Sequence, residues 1–466
     1  MWGGSLLYAA DSTDTQVTEW PSSMVSNTLP VLYINTENGA EIVSKENYIN
    51  ATYWIDPKDT GYDAFGSEEE PLETEIRGRG NWTWSAYEKK PYKLKLGEKT
   101  ALFGLPKNKH WALLAEANSL TFVTTHLGME ISKLMGLDWT PAVVPVEVVL
   151  NDEYIGFYNL VETIRVDKNR VNIAEQKDEE TDPDEIRGAW LLEIDNNPAK
   201  YQVSLTEGNG NTINITPDTP EVLSDEQYQY LKEQMQLLNE LIHAQDKSDS
   251  TELEKILDFK ALAKYYLVQE VIDDQEGFSG SCFFYKDKGE NQKWIFGPIW
   301  DMGNAFRRAN RENHFFDGEF TNHWIEELLE FPKLQDEIKA EWLNFVENNS
   351  IDDLVRILDE YANLIKEAYS GPNNLRWSNT EITHYYDFNW GYDKVRSNLI
   401  TNFNIVNQWY NENGSVYEID MDKEPLMISY HDLFGRKIDN PSIKGVIIKV
   451  TVFKDGSTIK EKIIQQ

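Results

Sequence analysis

Apolar and polar positions alternate through much of the first half of the chain, which is the period-two pattern of half-buried β-strands. Two of the alternating runs lie on either side of Asn38-Gly39, a dipeptide typical of tight hairpin turns. The pattern therefore predicts a β-rich first half that contains one helix. The strands are expected at 31–34, 48–55, 91–96, 142–150, 154–163 and 190–194, and the helix from about 120 to 135, where Gly136 ends it.

The pattern changes to the helical period after Ser224, where apolar residues recur every three or four positions. Ser224 is a suitable N-cap, and Asp225 and Glu226 in the first turn suit the helix dipole. The second half is therefore predicted to be helical, with two short strands inside it and a β-type tail. The helices are expected at 224–244, 250–273, 324–347, 351–369 and 386–410, and the strands at 282–285, 294–296, 427–430 and 446–453.

Runs of strands followed by runs of helices indicate an α+β fold. We predict an N-terminal segment over residues 1–28, a main domain over 29–412 and a C-terminal β module over 413–466. The main domain would divide into a β-rich part over about 29–200 and a helical part over about 220–412. A pocket between these two parts is the expected place for chemistry.

Composition excludes several classes of protein. The 466 residues carry 44 Lys and Arg against 79 Asp and Glu, for a formal net charge of −35. Phosphate-rich nucleic acid and anionic membranes repel such a chain, so neither is expected as a partner. A hydrophobic content of 40% is enough to fill a core. The chain contains no run of about 18 apolar residues, so we expect no transmembrane helix. The single cysteine, Cys282, excludes an intramolecular disulfide and is expected to be inert core.

The N-terminus allows two interpretations. Met1–Ala10 can be the remnant of a signal peptide that is cleaved near Ala10, although it lacks a basic start and its apolar part is short. The alternative is the ordinary start of a cytosolic chain. We expect a secreted or cell-surface protein.

A basic island interrupts this acidic chain between Arg77 and Lys95, where six cations lie within 19 residues. Its first part, Arg77-Gly78-Arg79-Gly80-Asn81, combines cations with glycines, which allow backbone N–H groups to approach an anion closely. The spacing matches neither a P-loop nor a dinucleotide-binding motif. The pattern indicates either a phosphate-binding segment or a solvated basic strand.

An acidic group follows in the second half, with Asp273, Asp274 and Glu276, and then Asp301 after a short apolar strand. Carboxylate oxygens are suitable ligands for Mg²⁺, although acids at strand ends are also common turn formers. Cations for phosphates together with carboxylates for a metal are what phosphoryl transfer requires. Paired carboxylates and a load of 15 Trp and 23 Tyr also suit glycoside hydrolysis or glycan binding, which is the rival class.

These segments resemble the spore coat protein H (CotH) kinase family of bacteria over about residues 29–412, and the tail at 432–436 resembles sorting tails of secreted Bacteroidetes proteins. The matching stretches are Leu29–Thr36, Arg77–Trp84, Lys89–Leu96, Trp111–Leu114, Gly156–Glu162, Phe284–Asp287 and Gly297–Asp301.

The resemblance implies a divergent protein-kinase-like fold of two lobes that binds ATP and Mg²⁺ and phosphorylates Ser or Thr of a protein substrate. It further implies roles for individual residues. Arg79, Asn81, Lys90 and Lys93 would bind the nucleotide, Glu162 would lie near the lobe junction, Asp274, Ser281 and Asp301 would hold the metal, and Glu276 and Asp301 would be catalytic.

The sequence departs from the family pattern at the implied catalytic loop. The family carries an Asp followed five residues later by an Asn, and the aligned positions here are Glu276 and Ser281. An acid that often follows the metal-binding Asp is replaced by Gly303. A catalytically degenerate nucleotide-binding protein, or a surface module that binds glycans or proteins, is therefore the alternative to an active kinase.

Overall fold

The structure is a computed structural model in which the chain forms two compact units, Met1–Gly414 and Ser415–Gln466. The first ten residues and the tail stretch at 432–436 lie outside the described residues. The described residues are 20–119, 121–206, 212–308, 311, 313–317, 323–377 and 387–411, together with the tail strands at 425–431, 437–438, 445–453 and 458–465.

The β-rich part of the first unit contains a closed barrel of seven strands. These are β1 (Val31–Thr36), β2 (Ile49–Asp56), β3 (Leu72–Gly78), β4 (Tyr92–Thr100), β5 (Asn108–Leu114), β6 (Val143–Leu150) and β7 (Glu153–Glu162). Their order is β1-β2-β3-β4-β5-β7-β6, and a parallel pairing of β1 with β6 closes the barrel. The hairpin predicted around Asn38-Gly39 is confirmed as the antiparallel pair β1 with β2, and the strands predicted at 142–150 and 154–163 pair in the same way as β6 and β7.

Alternating side chains of these strands fill the barrel. Ile76, Leu94 and Trp111 on neighbouring strands are at most 1% exposed and belong to one hydrophobic core. Lys93 and Lys95 point to the opposite face of β4 from Leu94, as the alternation predicts.

A second, five-stranded antiparallel sheet belongs to the same unit. It consists of β8 (Trp190–Ile194), β9 (Val203–Thr206), β10 (Thr212–Thr219), β11 (Cys282–Lys286) and β12 (Ile295–Phe296). The strand order is β12-β11-β8-β10-β9, so strands from both halves of the sequence share one sheet. Strands β9 and β10 were not predicted, although both contain a short alternating run in which Val203, Leu205, Ile213 and Ile215 are the buried residues. Cys282 is fully buried in this sheet, as predicted.

The helices dominate the C-terminal half of the first unit, which confirms the α+β class. They are α1 (Trp82–Ala86), α2 (Thr124–Met135), α3 (Pro183–Ile186), α4 (Asp225–Ile242), α5 (Thr251–Ile256), α6 (Phe259–Ile272), α7 (His323–Leu328), α8 (Pro332–Asn348), α9 (Ile351–Ala368), α10 (Asn374–Trp377) and α11 (Phe388–Tyr410). None of the helices within the described ranges is long and apolar enough to cross a membrane.

The prediction of two long continuous helices was wrong, because each is broken in the structure. The helix expected over 250–273 stops before Leu257, which is extended, and restarts where the Asp258 side chain accepts a hydrogen bond from the Ala261 backbone N–H at 2.9 Å. The helix expected over 324–347 is interrupted where Pro332 begins α8. Both breaks have local causes, a capping Asp and a Pro at the first helical position.

The second unit is a four-stranded antiparallel sheet of order β14-β13-β15-β16. Its two longer predicted strands are confirmed, with one further long strand at the end of the chain. The strands are β13 (Pro425–His431), β14 (Lys437–Ile438), β15 (Gly445–Phe453) and β16 (Thr458–Gln465).

Candidate functional site

A cleft of about 890 Å³ lies among the barrel, the second sheet and the turn that follows β12. The barrel contributes the residues after β3 and after β5, and the second sheet contributes the end of β8 and the turn before β11. The chain segments that meet here are far apart in sequence. Residues that line the cleft include Lys45, Arg79, Asn81, Trp82, Glu116, Glu193, Asp195, Glu276, Ser281, Trp300 and Asp301.

Arg79 is a half-buried cation that lines this cleft. It follows β3 directly, and its backbone N–H donates a hydrogen bond to the Pro91 carbonyl at 3.2 Å. Its guanidinium lies over the Trp300 ring, 5.5 Å from the centroid. Burial lowers the pKa of Arg79, and the carboxylates of Asp301, Glu116 and Glu193 counter that effect. Arg79 is thus placed to bind an anion that enters the cleft.

Asp301 lies opposite Arg79 and is exposed to solvent. Its backbone is left-handed, with φ of 59°, and it precedes a single helical turn over Met302–Asn304. Arg307 holds this turn in place, because its guanidinium donates hydrogen bonds to the carbonyls of Gly303 and Asn118. Asp301 therefore presents its carboxylate to solvent, and Arg307 anchors the turn that follows it.

Glu276 is half-buried beside Asp301. Burial raises the pKa of Glu276, and repulsion from Asp301 adds to that effect, while a hydrogen bond from Asn304 and the charge of Arg307 oppose it. Asp274 is 2% exposed and does not line the cleft; its carboxylate accepts a hydrogen bond from the Glu276 backbone N–H at 3.3 Å. Burial raises the pKa of Asp274 strongly, with Glu276 as the next cause.

The acids of the cleft that the sequence analysis missed are Glu116, Glu193 and Asp195. Burial, followed by repulsion from Asp195 and Asp218, raises the pKa of Glu193 to about 8. A hydrogen bond with Ser281, another cleft residue, opposes this rise. The sequence feature that could have indicated Glu193 is its position as a single acid within the otherwise apolar strand β8.

Glu116 lies at the start of the loop that follows β5. The hydroxyl of Ser119 donates a hydrogen bond to its carboxylate at 2.5 Å, and the amide of Asn159 donates another at 3.0 Å. Burial raises the pKa of Glu116 in spite of these bonds, and the charge of Asp301 adds to the rise. The cleft therefore concentrates negative charge, which favours a bound cation.

Three other residues named from the sequence do not line the cleft. The ammonium of Lys90 donates to the Trp84 carbonyl at 2.7 Å. Lys93 lies on the outer face of β4, where Arg77 and Asp218 are its charged neighbours. Glu162 is 3% exposed and lies 3.7 Å from the Nε atom of Arg170.

The donor set can be tested against the expected metal. Among the described residues, no group of three or more His, Cys, Asp or Glu side chains is arranged as a metal site. Mg²⁺ is commonly held by one or two carboxylates together with substrate phosphates, rather than by an all-protein cage. The carboxylate of Asp301, which lines the cleft with Arg79 nearby, fits that mode of binding.

A comparison with curated proteins found no match. Among protein-family models, residues 76–417 match the family described as CotH kinase protein. This match begins in β3, ends just after α11, and includes every segment that contributes Arg79, Glu276 and Asp301 to the cleft. The chain therefore belongs to the CotH kinase protein family.

Proposed function

We propose that this protein is a secreted or cell-surface atypical protein kinase of the CotH type, which transfers the γ-phosphate of ATP, with Mg²⁺, to Ser or Thr of a protein substrate. In this proposal the barrel belongs to the N-terminal lobe of a kinase-like fold, and the helical part is the C-terminal lobe. The observation that supports it is the meeting of Arg79, Glu276 and Asp301 in one cleft. Phosphoryl transfer depends on such positioning and charge neutralisation.

Each of these cleft residues would have a separate role in phosphoryl transfer. Arg79 would bind phosphate oxygens and offset their negative charge. Asp301, with Ser281 of the same cleft, would hold Mg²⁺, which supplies further charge neutralisation when bound. Glu276 would accept the proton of the acceptor hydroxyl as that oxygen bonds to the γ-phosphorus. The bond from the γ-phosphorus to the bridging oxygen then breaks, and ADP leaves with the electron pair.

Incubation of the full chain with radiolabelled ATP, Mg²⁺ and candidate protein substrates tests the proposal. We expect label on Ser or Thr, and we expect Asp301→Ala to abolish it. Asp352→Ala is the matched control, because Asp352 is an exposed acid in the first turn of α9. Absence of transfer, together with no thermal shift on addition of Mg²⁺ and ATP, would contradict both catalysis and nucleotide binding.

A catalytically degenerate nucleotide-binding protein is the second candidate, supported by Glu276 and Ser281 at the positions where the family carries Asp and Asn. It predicts a thermal shift with ATP but no transfer. The double variant Glu276→Asp, Ser281→Asn then becomes informative. Ser281 has a φ of 48°, a left-handed conformation that Asn adopts more readily than Ser. The backbone therefore accepts the family's residue, and a gain of transfer would identify a lost kinase site.

A further inference from the structure

Trp82 lies at the cleft with 68% of its surface exposed. The other aromatic side chains described along the cleft, and Met302, are less accessible. Met302 is 1% exposed and Phe283 is 6% exposed, while the Trp300 ring is occupied by the Arg79 guanidinium. Trp82 therefore offers the accessible aromatic face of this cleft.

The helical turn that carries Trp82 is anchored to the barrel by its neighbour Trp84. The Trp84 ring packs on Gly78 so closely that a Cβ atom there would lie 2.5 Å from it. The same ring meets Tyr92 edge-on at 6.3 Å, and Lys90 donates to the Trp84 carbonyl. Trp84 is thus half-buried against the barrel core, while Trp82, two residues earlier, remains in solvent.

Hydrogen bonds also hold the start of this turn. The ammonium of Lys45 donates to the side-chain oxygen of Asn81 at 2.8 Å, and the Ser85 hydroxyl lies 3.1 Å from the Asn81 carbonyl that it contacts. The exposed position of Trp82 is therefore preorganised by its surroundings. An aromatic ring that is held in water regains free energy when a flat partner covers it.

We propose that Trp82 is the stacking platform for the purine base of the nucleotide whose phosphates bind Arg79. This inference rests on the proposed function. Trp82 follows Arg79 by three positions, and three residue steps span at most about 10 Å of extended backbone. Base and phosphates of one nucleotide can therefore reach both. Stacking on an aromatic side chain tolerates different bases, so GTP should bind nearly as well as ATP.

Titration calorimetry on the full chain distinguishes the contribution of the base to binding affinity from that of the phosphates. The ligands are Mg²⁺ with ATP, with GTP and with inorganic tripolyphosphate, which carries the phosphate chain but no base. The variants are Trp82→Ala and Trp82→Phe. Trp390→Ala serves as the control, since Trp390 is 49% exposed on α11 and does not line the cleft.

We expect Trp82→Ala to weaken ATP and GTP by roughly 5- to 150-fold while tripolyphosphate binding stays unchanged. Trp82→Phe should retain most of the affinity, and Trp390→Ala all of it. Unchanged ATP binding in Trp82→Ala would overturn the stacking role and leave the proposed function standing. An equal loss of affinity for ATP and for tripolyphosphate would have the same consequence, because it would show that Trp82 does not act on the base. Wild-type protein that binds neither ATP nor tripolyphosphate would overturn both. Loss of oligosaccharide binding instead of ATP binding in Trp82→Ala would reassign the platform to a sugar.

Discussion

The guanidinium of Arg308 binds the carboxylate of Asp273, with its Nε atom 3.1 Å from each carboxylate oxygen. Asp273 caps the end of α6 three residues before Glu276, and Arg308 follows Asp301 by seven residues. This ion pair therefore ties together the two segments that carry the acidic side of the cleft. Arg311 strengthens the connection with its Nη1 atom 3.2 Å from an Asp273 oxygen.

Asp273→Asn should destabilise the protein by about 2–4 kcal/mol, because it removes the shared carboxylate of a buried ion-pair network. Arg308 then loses its carboxylate partner, while Arg311 keeps Glu270 at 2.7 Å. Chemical denaturation measures the change in the free energy of unfolding. The control is Glu252→Gln, which removes an ion pair with Lys255 whose side chains are both more than 60% exposed. That change should cost less than about 0.5 kcal/mol, and equal effects for the two variants would contradict the role of Asp273.

Glu193 should make the protein less stable as the pH rises. Burial is the main reason that the pKa of Glu193 is raised to about 8, from 4.5 in the unfolded chain. Because the folded state binds this proton more tightly, the stabilisation is complete below about pH 4.5 and is lost as the pH rises towards 8.

Glu193→Gln removes this dependence, since Gln resembles the protonated acid at every pH. We expect the variant to be more stable than the wild type at pH 8, by about 1–2 kcal/mol, with a difference that shrinks towards pH 5. Denaturation at several pH values measures this. Glu88→Gln, a change at an exposed acid, is the control and should stay within about 0.5 kcal/mol. A variant that is less stable than the wild type at pH 8 would refute the prediction.

The pH dependence of phosphoryl transfer should reflect Glu276. A general base acts when it is deprotonated, so the rate should rise with pH through the pKa of Glu276. Burial and the charge of Asp301 raise that pKa above 4.5, whereas Asn304 lowers it. Asn304→Ala should therefore move the acid limb of the kcat profile to higher pH. Circular dichroism at each pH controls for unfolding, and an unmoved or downward-shifted limb would exclude Glu276 as the base.

Gly78→Ala should displace the turn that carries Trp82, because the new Cβ atom would lie 2.5 Å from the Trp84 ring. Overpacking of this kind costs about 1–3 kcal/mol of stability. We also expect weaker ATP binding, measured by calorimetry. Gly280→Ala is the control for stability, since a Cβ atom there meets no heavy atom within 4 Å. A stable Gly78→Ala variant with wild-type affinity would show that Trp84 does not position the turn.

Much of the secondary structure could be predicted because its causes are local. Two apolar runs on either side of a short polar turn correspond to the hairpin β6–β7, and Ser224 forms the expected cap, in a capping box with Gln227. The breaks before Asp258 and Pro332 have local signals as well, but a continuous helical pattern on both sides concealed them. Strands β9 and β10 were missed because their alternating runs are short, and pairing with the rest of the sheet stabilises them.

The cleft was only partly predictable. The resemblance to the CotH family drew attention to Arg79, Glu276 and Asp301, all of which line it. Lys93 belongs to the same basic island as Arg79, yet it lies on the outer face of β4 beside Asp218. Glu193 was not predicted as a site residue, because a single acid in an apolar strand has no second acid or cation in its own segment to indicate a site.

The sequence by itself determined the type and order of most elements, the α+β class and the family, because periodicity, caps and motifs act over a few residues. Only the tertiary structure decided which charges share the cleft. Arg79 and Asp301 are more than 200 residues apart, and folding brings them close enough for the carboxylate to stabilise the guanidinium. The physical reason is that burial and the approach of distant charges depend on the whole fold, and these two effects set the pKa of Glu193 and of Glu276.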